Sequence, residues 1–360
     1  MGIIQKNNLE KYQITHRSWQ GIPSMDIDQN GTLYASWYSG GTGEGTDNYA
    51  ILQNSTDNGL SFNHPLAIVS PKENTRAYDP SVFTDPFGRV HWFWAQSNGM
   101  YDGSCGVWDC IINNDSFAEP RRICDGIMMN KPTVLSNGSW LLPVSLWDMN
   151  PYFKKPGDIE VDKNKVRAGS YAVISNDNGT SYNIQGLAHP DQPSCDEHMI
   201  IEKGDGSLWM LIRVKYGIAE SFSYDTGKTW SPSKPSSIAS PVSRFFIRRM
   251  PSGRLLLINH HKFIDNENIH LRRNNLTAML SDDDGKTWPH QLLLDERNSV
   301  SYPDAAIRPN GEINVIYDRD RYGVSEILTA RITEDEIIAG TISDPKSYLK
   351  NIISSIHPLL

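Results

Sequence analysis

Features that would place this chain in several common classes of protein are scarce or missing. Its 360 residues include four cysteines but no Cys-x-x-Cys pair, so neither a zinc site nor a disulfide framework is expected, and no cofactor is predicted. Lysine and arginine form no clustered run and are outnumbered 34 to 42 by acidic residues, which argues against nucleic acid as a partner. No apolar run approaches the roughly 18 residues that a membrane span needs, so no membrane partner is expected.

The first residues also lack a signal for export. The stretch MGIIQKNNLEKYQ has no apolar core of the kind found in signal peptides, so we expect a cytoplasmic location. What the chain does contain is material for a sizeable core, since 38% of its residues are apolar and 10% aromatic. No linker of low complexity interrupts it, and we predict one domain over residues 1–360.

A short pattern of serine, aspartate, glycine, hydroxyl and aromatic residues recurs four times along the chain. The copies are STDNGLSF (55–62), SNDNGTSY (175–182), SYDTGKTW (223–230) and SDDDGKTW (281–288). The aspartate can accept backbone N–H groups within a tight turn, and the glycine suits a left-handed turn position. The final aromatic residue is expected to pack beneath the turn and hold it against a sheet. Four copies indicate a repeat architecture.

A second repeat lies between the copies of the first. It is a glycine-led turn followed by an apolar or alternating strand, and it occurs six times: 30–37, 87–94, 137–144, 205–212, 252–259 and 310–317. The spacing of roughly 47 to 68 residues is that of a four-stranded propeller blade with variable loops. We therefore predict an all-β, six-bladed β-propeller with antiparallel blades.

The two ends of the chain carry further signals. Residues 3–15 precede the first unit and are predicted to add a strand to the last blade, which would close the ring and remove exposed sheet edges. The segment TEDE (333–336) has the capping-box pattern of a helix start. Residues 344–356 have Pro345 near their start and helical spacing of apolar positions after it, and they are predicted to form a short C-terminal helix.

The propeller places two sets of loops at one mouth: those before each innermost strand and those after each second strand. These loops are rich in arginine, carboxylates, histidine and aromatic residues, a mixture that suits a sugar bearing an anionic group. We therefore predict a carbohydrate partner. The candidate residues at the mouth are Arg76, Asp79, Glu197, His198, Arg213, His261, Tyr302 and Asp318.

The four turns resemble the Asp boxes of the sialidase superfamily, and GIPSM (21–25) is similar to the opening segment of the first sialidase blade. The resemblance covers nearly all of residues 19–332. It implies that Tyr302 is a nucleophile, that Glu197 is its base, and that an acid in the loop before the first box protonates the leaving group. That loop offers Glu44 and Asp47, and the sequence favours Asp47 because the acid type is then kept.

The resemblance also implies that arginines bind the substrate carboxylate. Arg213 matches one of them, and Arg273 matches a second in preference to the adjacent Arg272. A third is expected immediately before the Ile-Pro-Ser segment, where this chain has Gly21. Arg76 or Arg244 from another blade could replace it.

Three functions remain open at this point. The first is an exo-glycosidase of the sialidase type that acts on a terminal acidic sugar. The second is a uronide-acting glycosidase or a polysaccharide lyase that uses Tyr302 or His198 as its base. The third is a carbohydrate-binding propeller without catalysis.

Overall fold

The computed structural model describes residues 4–71, 74–99, 105–113, 116–147 and 168–357. Six antiparallel sheets follow one another along the chain, and each is built from consecutive strands. Together they form a six-bladed β-propeller, which confirms the predicted fold. Within those ranges, no helix has the length and apolar character needed to cross a bilayer.

The first three blades occupy the N-terminal half of the chain. The first blade contains β1 (Ile4–Gln5), β2 (Gln20–Ile27), β3 (Leu33–Ser39), β4 (Tyr49–Ser55) and β5 (Ala67–Val69). The second contains β6 (Thr75–Thr84), β7 (Val90–Asn98), β8 (Gly106–Asn113), β9 (Ser116–Phe117) and β10 (Arg121–Asp125). The third contains β11 (Thr133–Val134), β12 (Trp140–Leu146), β13 (Gly169–Ser175) and β14 (Asn183–Ala188). Two single-turn 3-10 helices, Glu10–Tyr12 and Ile14–His16, lie between β1 and β2.

The other three blades are each four-stranded. The fourth contains β15 (Met199–Glu202), β16 (Leu208–Val214), β17 (Gly217–Ser223) and β18 (Lys234–Pro235). The fifth contains β19 (Phe246–Arg249), β20 (Leu255–His260), β21 (Leu276–Ser281) and β22 (His290–Asp295). The sixth contains β23 (Val300–Ile307), β24 (Glu312–Arg319), β25 (Glu326–Thr333) and β26 (Tyr348–Ser355), with helix α1 (Glu334–Ala339) between the last two strands.

The innermost strands of the blades lie around the central axis. In the first blade this strand is β2, which contacts both β6 and β23. Each blade is packed between two others, so its central strands are buried on both faces. This explains why they read as nearly continuous apolar runs rather than as alternating ones. Every residue of β16 is buried, including the charged Arg213 near its end.

The four Asp-type turns have the predicted local structure. In the third copy, Thr229 donates from its backbone N–H to Oδ1 of Asp225 (2.9 Å) and from its hydroxyl to Oδ2 (2.6 Å). Ser223 donates to the same carboxylate (2.8 Å) and accepts from the N–H of Gly227 (2.9 Å), whose φ is 84°. Trp230 packs against a buried apolar cluster below the turn. The same contacts recur around the other three aspartates, Asp57, Asp177 and Asp283.

The prediction that residues 3–15 complete the last blade is wrong. The short strand β1 instead pairs with β5 in the first blade, with Ile4 opposite Val69. The ring closes through side chains rather than through a shared strand. Ser24 and the N–H of Met25 both donate to Oδ2 of Asp304 in the last blade, at 2.5 and 2.9 Å.

The predicted helix at residues 344–356 is also wrong, because this segment forms strand β26. Without it, β25 would present an unpaired row of N–H and C=O groups, and pairing with β26 satisfies them. Leu349 and Ile353 still pack against apolar clusters of the blade. Apolar residues with helical spacing can face the core from this strand because it is bulged. The capping-box prediction is confirmed, since Thr333 and Glu336 cap α1 reciprocally.

Candidate active site

The candidate residues come together because strands alternate in direction within each blade. Starts of first strands and ends of second strands therefore lie at one end of the propeller. Glu197 lies two residues before β15, and Tyr302 is the third residue of β23. Arg213 and Asp318 lie near the ends of β16 and β24. The Asp-type turns follow third strands, so they lie at the opposite end and take no part in this mouth.

A hydrogen-bonded cluster of three side chains forms the centre of the site. The hydroxyl of Tyr302 donates to Oε1 of Glu197 at 3.0 Å, and Nη1 of Arg213 reaches both that oxygen and the Tyr302 hydroxyl, the latter at 3.0 Å. All three side chains are buried. Tyr302 has a φ of 54°, where β23 shifts register against β24, so the backbone is strained at this residue.

The surroundings keep Tyr302 protonated. Burial and then the neighbouring Glu197 carboxylate raise the pKa of the Tyr302 phenol, to about 12, against the opposing effect of Arg213, Arg273 and Arg321. The phenol is thus neutral near pH 7 and holds its proton beside a carboxylate that can receive it. Oε2 of Glu197 has no hydrogen-bond partner among the residues that the structure describes.

Two further guanidinium groups lie over the Tyr302 ring. Arg273 is 5.4 Å and Arg321 is 4.5 Å from the ring centroid. Arg273 donates from Nη2 to the carbonyl of Val242 (2.9 Å), but within the described parts of the chain its Nε and Nη1 make no hydrogen bond. The adjacent Arg272 instead pairs with Asp265 on an outer loop, at 2.7 Å. The structure therefore places Arg273, the residue preferred from sequence, at the site.

The loop that offers two acids places them differently. Asn48 organises it by accepting from the N–H of Gly45 (2.8 Å) and donating to the carbonyls of Gly40 and Gly43. Glu44 is turned toward the cluster, where its carboxylate lies 3.5 Å from Nη1 of Arg321. Asp47, the acid preferred from sequence, is exposed, and none of the described contacts links its side chain to Tyr302 or to the arginines.

Arg76 and Asp79 form one wall of the site. The Arg76 guanidinium stacks on the Tyr78 ring at 3.8 Å and lies 5.9 Å from the centroid of Tyr38. Asp79 is buried with a φ of 46°, and its pKa is raised to about 8 by burial and then by the nearby Glu44 carboxylate. Near pH 7 it is largely protonated, and it can donate a hydrogen bond to a sugar oxygen.

The two predicted histidines lie outside this cluster. One ring nitrogen of His198 is 2.9 Å from the carbonyl of Asp196 and the other is 2.9 Å from the carbonyl of Tyr171, so both are engaged by backbone. Burial lowers the pKa of His198, against the opposing effect of these two backbone contacts. His261 follows β20 beside Lys262, and no contact of the described residues joins it to Tyr302. The placement of both residues favours structural roles.

Sequence reasoning missed Arg321, the last residue of the charged run DRDR (318–321). Neither residue suggested as a replacement for the absent arginine lies over Tyr302. Arg244 is buried on the axis, where it donates to Oδ1 of Asn130 (2.7 Å) and lies 3.9 Å from Asp304. Arg76 lies in the wall. The only sequence signal for Arg321 was the glycine at position 21, where an arginine was expected.

Comparisons with known proteins agree with this architecture. Residues 31–315 match the family described as BNR repeat-like domain. A sialidase of Bacteroides fragilis (strain YCH46) is 29% identical over 157 residues, which cover 41% of this chain and 27% of that protein. The match therefore spans about a quarter of the relative's length.

Solved structures are similar in fold at low identity. The Hadza microbial sialidase Hz136 has a TM-score of 0.67 and 17% identity, covering 84% of this chain and 64% of that one. An intramolecular trans-sialidase from Ruminococcus gnavus has a TM-score of 0.67 and 14% identity, with coverage of 92% and 98%. A protein of unknown function from Dyadobacter fermentans DSM 18053 has a TM-score of 0.63 and 15% identity, with coverage of 85% and 92%. At these identities the likeness concerns the fold alone.

Proposed function

The chain belongs to the family of BNR repeat-like domains, and from this premise we propose that it is a glycoside hydrolase of the sialidase type, which releases a terminal acidic sugar from an oligosaccharide. The observation that carries the proposal is the contact of Tyr302 with Glu197 and Arg213 beneath two further arginines. This arrangement offers a neutral nucleophile, its base and positive charge for an anionic substrate.

The neutral nucleophile suits a sugar that carries its carboxylate on the anomeric carbon. A carboxylate nucleophile would be repelled by that charge, whereas a phenol would not. In the first step Tyr302 Oη attacks the anomeric carbon while Glu197 takes its proton. The bond to the leaving oxygen breaks as an acid in the loop of Glu44 and Asp47 protonates that oxygen. Glu44 is the better placed of the two.

The second step regenerates the enzyme. The carboxylate that gave up its proton takes one from water, and the resulting hydroxide oxygen attacks the anomeric carbon. The bond to Tyr302 breaks, and the phenolate recovers its proton from Glu197. Arg213 and Arg273 hold the substrate carboxylate throughout, because charge-assisted hydrogen bonds to guanidinium are strong and directional.

Substitution of the nucleophile and its base tests the proposal. Tyr302→Phe and Glu197→Gln are each expected to lower kcat on an aryl α-sialoside by about 10²- to 10⁴-fold, since each removes one participant in the chemical step. The release of the aryl group and of the free sugar is measured. The control is Tyr224→Phe, a change at a highly exposed tyrosine of the third Asp-type turn. Full turnover by both Tyr302→Phe and Glu197→Gln would refute the proposal.

Incubation with other acidic sugars separates the alternative functions. Uronate-containing oligosaccharides are incubated with the wild-type protein, and absorbance of a new C4–C5 double bond would indicate elimination rather than hydrolysis. Binding of acidic sugars without any product would indicate a carbohydrate-binding propeller.

A further inference from the structure

Gly21 lies at the start of β2, opposite Tyr38 on β3. Glycine is often required where φ is positive, but Gly21 is not in that region of backbone conformation. The following Ile22, with a φ of 57°, is the residue in the strained conformation. The backbone at position 21 would therefore accept any side chain, and the reason for a glycine must lie in the space around it.

That space is filled by Arg321. A Cβ at position 21 would lie 2.7 Å from Cγ of Arg321, closer still to its Cδ, and 3.1 Å from Oδ2 of Asp318. Carbon atoms in contact normally lie about 3.5–4.0 Å apart, so even an alanine would displace the arginine. The aliphatic part of the Arg321 side chain therefore occupies the space that a side chain at position 21 would fill.

The segment that carries Arg321 is held firmly on both sides. The N–H of Asp320 donates to the carbonyl of Ser299 (2.9 Å), and the N–H of Ser325 donates to the carbonyl of Asp320 (2.9 Å). The hydroxyl of Ser325 donates to the carbonyl of Arg321 itself (2.7 Å). With the backbone held in this way, the aliphatic part of the Arg321 side chain runs past position 21 to reach the centre of the site.

The guanidinium group of Arg321 lies where it can bind an anion. It lies 4.5 Å from the Tyr302 centroid and within 3.5 Å of Asp318 and of Glu44. Its Nη1 nevertheless makes no hydrogen bond within the described parts of the chain, and the same is true of Nε of Arg213 and of Nε and Nη1 of Arg273. Buried charged donors are costly to leave unpaired, and all three guanidinium groups lie around Tyr302, so an anionic acceptor bound there would pair with them.

We propose that Gly21 and Arg321 form a coupled pair that supplies the third cation of a carboxylate site, shared with Arg213 and Arg273. Arg321 is a specificity-determining residue, and Gly21 is the positioning residue that admits it. The ligand is the carboxylate of a sugar seated on Tyr302, so this inference rests on the proposed function for the identity of the ligand. The steric coupling of the two residues does not depend on it.

The steric coupling is tested by stability. Gly21→Ala is expected to lower the melting temperature of the wild-type protein but to be nearly neutral in an Arg321→Ala background, because the shorter side chain vacates the space. Thermal unfolding of the four proteins measures this coupling. An equal effect of Gly21→Ala in both backgrounds would overturn the inference.

The carboxylate site is tested by calorimetric binding of N-acetylneuraminic acid and of its methyl ester. Arg321→Met is expected to weaken binding of the acid by about 10- to 100-fold and to leave the ester unchanged, since it removes hydrogen bonds to a charged group. Gly21→Arg combined with Arg321→Ala is expected to restore the preference for the acid, because the arginine at position 21 then supplies the third guanidinium from β2. The matched control is Arg254→Met, a surface arginine paired with Asp282 and Glu334.

The outcomes separate this inference from the proposed function. The inference is supported if the wild-type protein prefers the acid to the ester and Arg321→Met does not. This holds even if the wild-type protein hydrolyses nothing, in which case the proposed function alone fails. Wild-type protein that binds the acid no better than the ester overturns the inference. Unchanged preference in Arg321→Met also overturns it, whatever the turnover.

Discussion

At the scale of single residues, the orientations of two carboxyl groups distinguish the candidates for the proposed acid. Glu44 and Asp47 are three residues apart in a glycine-rich loop, and the resemblance to sialidases favoured the aspartate because it keeps the acid type. In the structure Glu44 pairs with Arg321, whereas Asp47 is exposed. Burial raises the pKa of Tyr38 and of Asp79, and the nearby Glu44 carboxylate raises both further.

Glu44 is therefore predicted to be the acid. Glu44→Gln is expected to lower kcat by about 10²- to 10⁴-fold on a natural glycoside, whose leaving group needs a proton, and by much less on a nitrophenyl glycoside, whose leaving group does not. Parallel assays with the two substrates measure the difference. Glu119→Gln on the outside of the second blade is the control. A larger substrate-dependent loss in Asp47→Asn than in Glu44→Gln would return the role to Asp47.

At the scale of elements, the Asp-type turn is a unit of stability with no place in the chemistry. Its aspartate accepts two bonds from a hydroxyl residue and one from a serine, and these bonds tie together the third and fourth strands of a blade. The hydrogen bond from the Thr229 side chain is the largest influence that lowers the pKa of Asp225, to about 2. The ionised form is thus the one that the folded turn favours.

The pH dependence of this unit follows from the sign of that shift. Because the folded pKa lies below the unfolded value of about 3.9, the contribution is complete above about pH 5 and is lost as the pH falls toward 2. Asp225→Ala is expected to lower the melting temperature at pH 7 and to leave kcat unchanged. The difference in melting temperature from the wild type should shrink below pH 4. A constant difference from pH 7 to pH 3 would exclude the ionised carboxylate as its source.

At the scale of the whole molecule, the ring is closed without exchange of a strand. Each blade is a continuous stretch of chain, so the first and last blades meet only through side chains and packing. Asp304 is central to this junction, since it accepts from Ser24 and Met25 and lies 3.6 Å from the buried Lys131 and 3.9 Å from Arg244. Asp304 is thus a counter-charge for Arg244 and shares Lys131 with Asp26, which lies 3.6 Å from the same ammonium group.

Asp304→Asn tests how much the closure contributes. It is expected to lower the free energy of unfolding by about 3–5 kcal/mol, because it leaves the buried Arg244 without its counter-charge and Lys131 with Asp26 alone. Urea denaturation measures the change. Asp191→Asn, at an exposed aspartate, provides the comparison. A loss no larger than that of the control would mean that packing alone closes the ring.

Much of this molecule could be predicted from local sequence. Turn chemistry and strand hydrophobicity are short-range properties, so the repeats determined the number of blades, the position of each strand pair and hence which loops share a mouth. Tyr302, Glu197 and Arg213 were identified by their places before first strands or after second strands, and Arg273 was identified through the resemblance to sialidases. The structure brings all four together.

The tertiary structure alone decided the features that depend on distant partners. Residues 344–356 carry a helical pattern yet form β26, because the open edge of β25 needs hydrogen bonds that no local signal records. Arg321 occupies the centre of the site because the glycine at position 21, some 300 residues earlier in the chain, leaves room for its stem. Strand edges and steric gaps exist only after the blades have packed against one another, so a linear pattern cannot specify them.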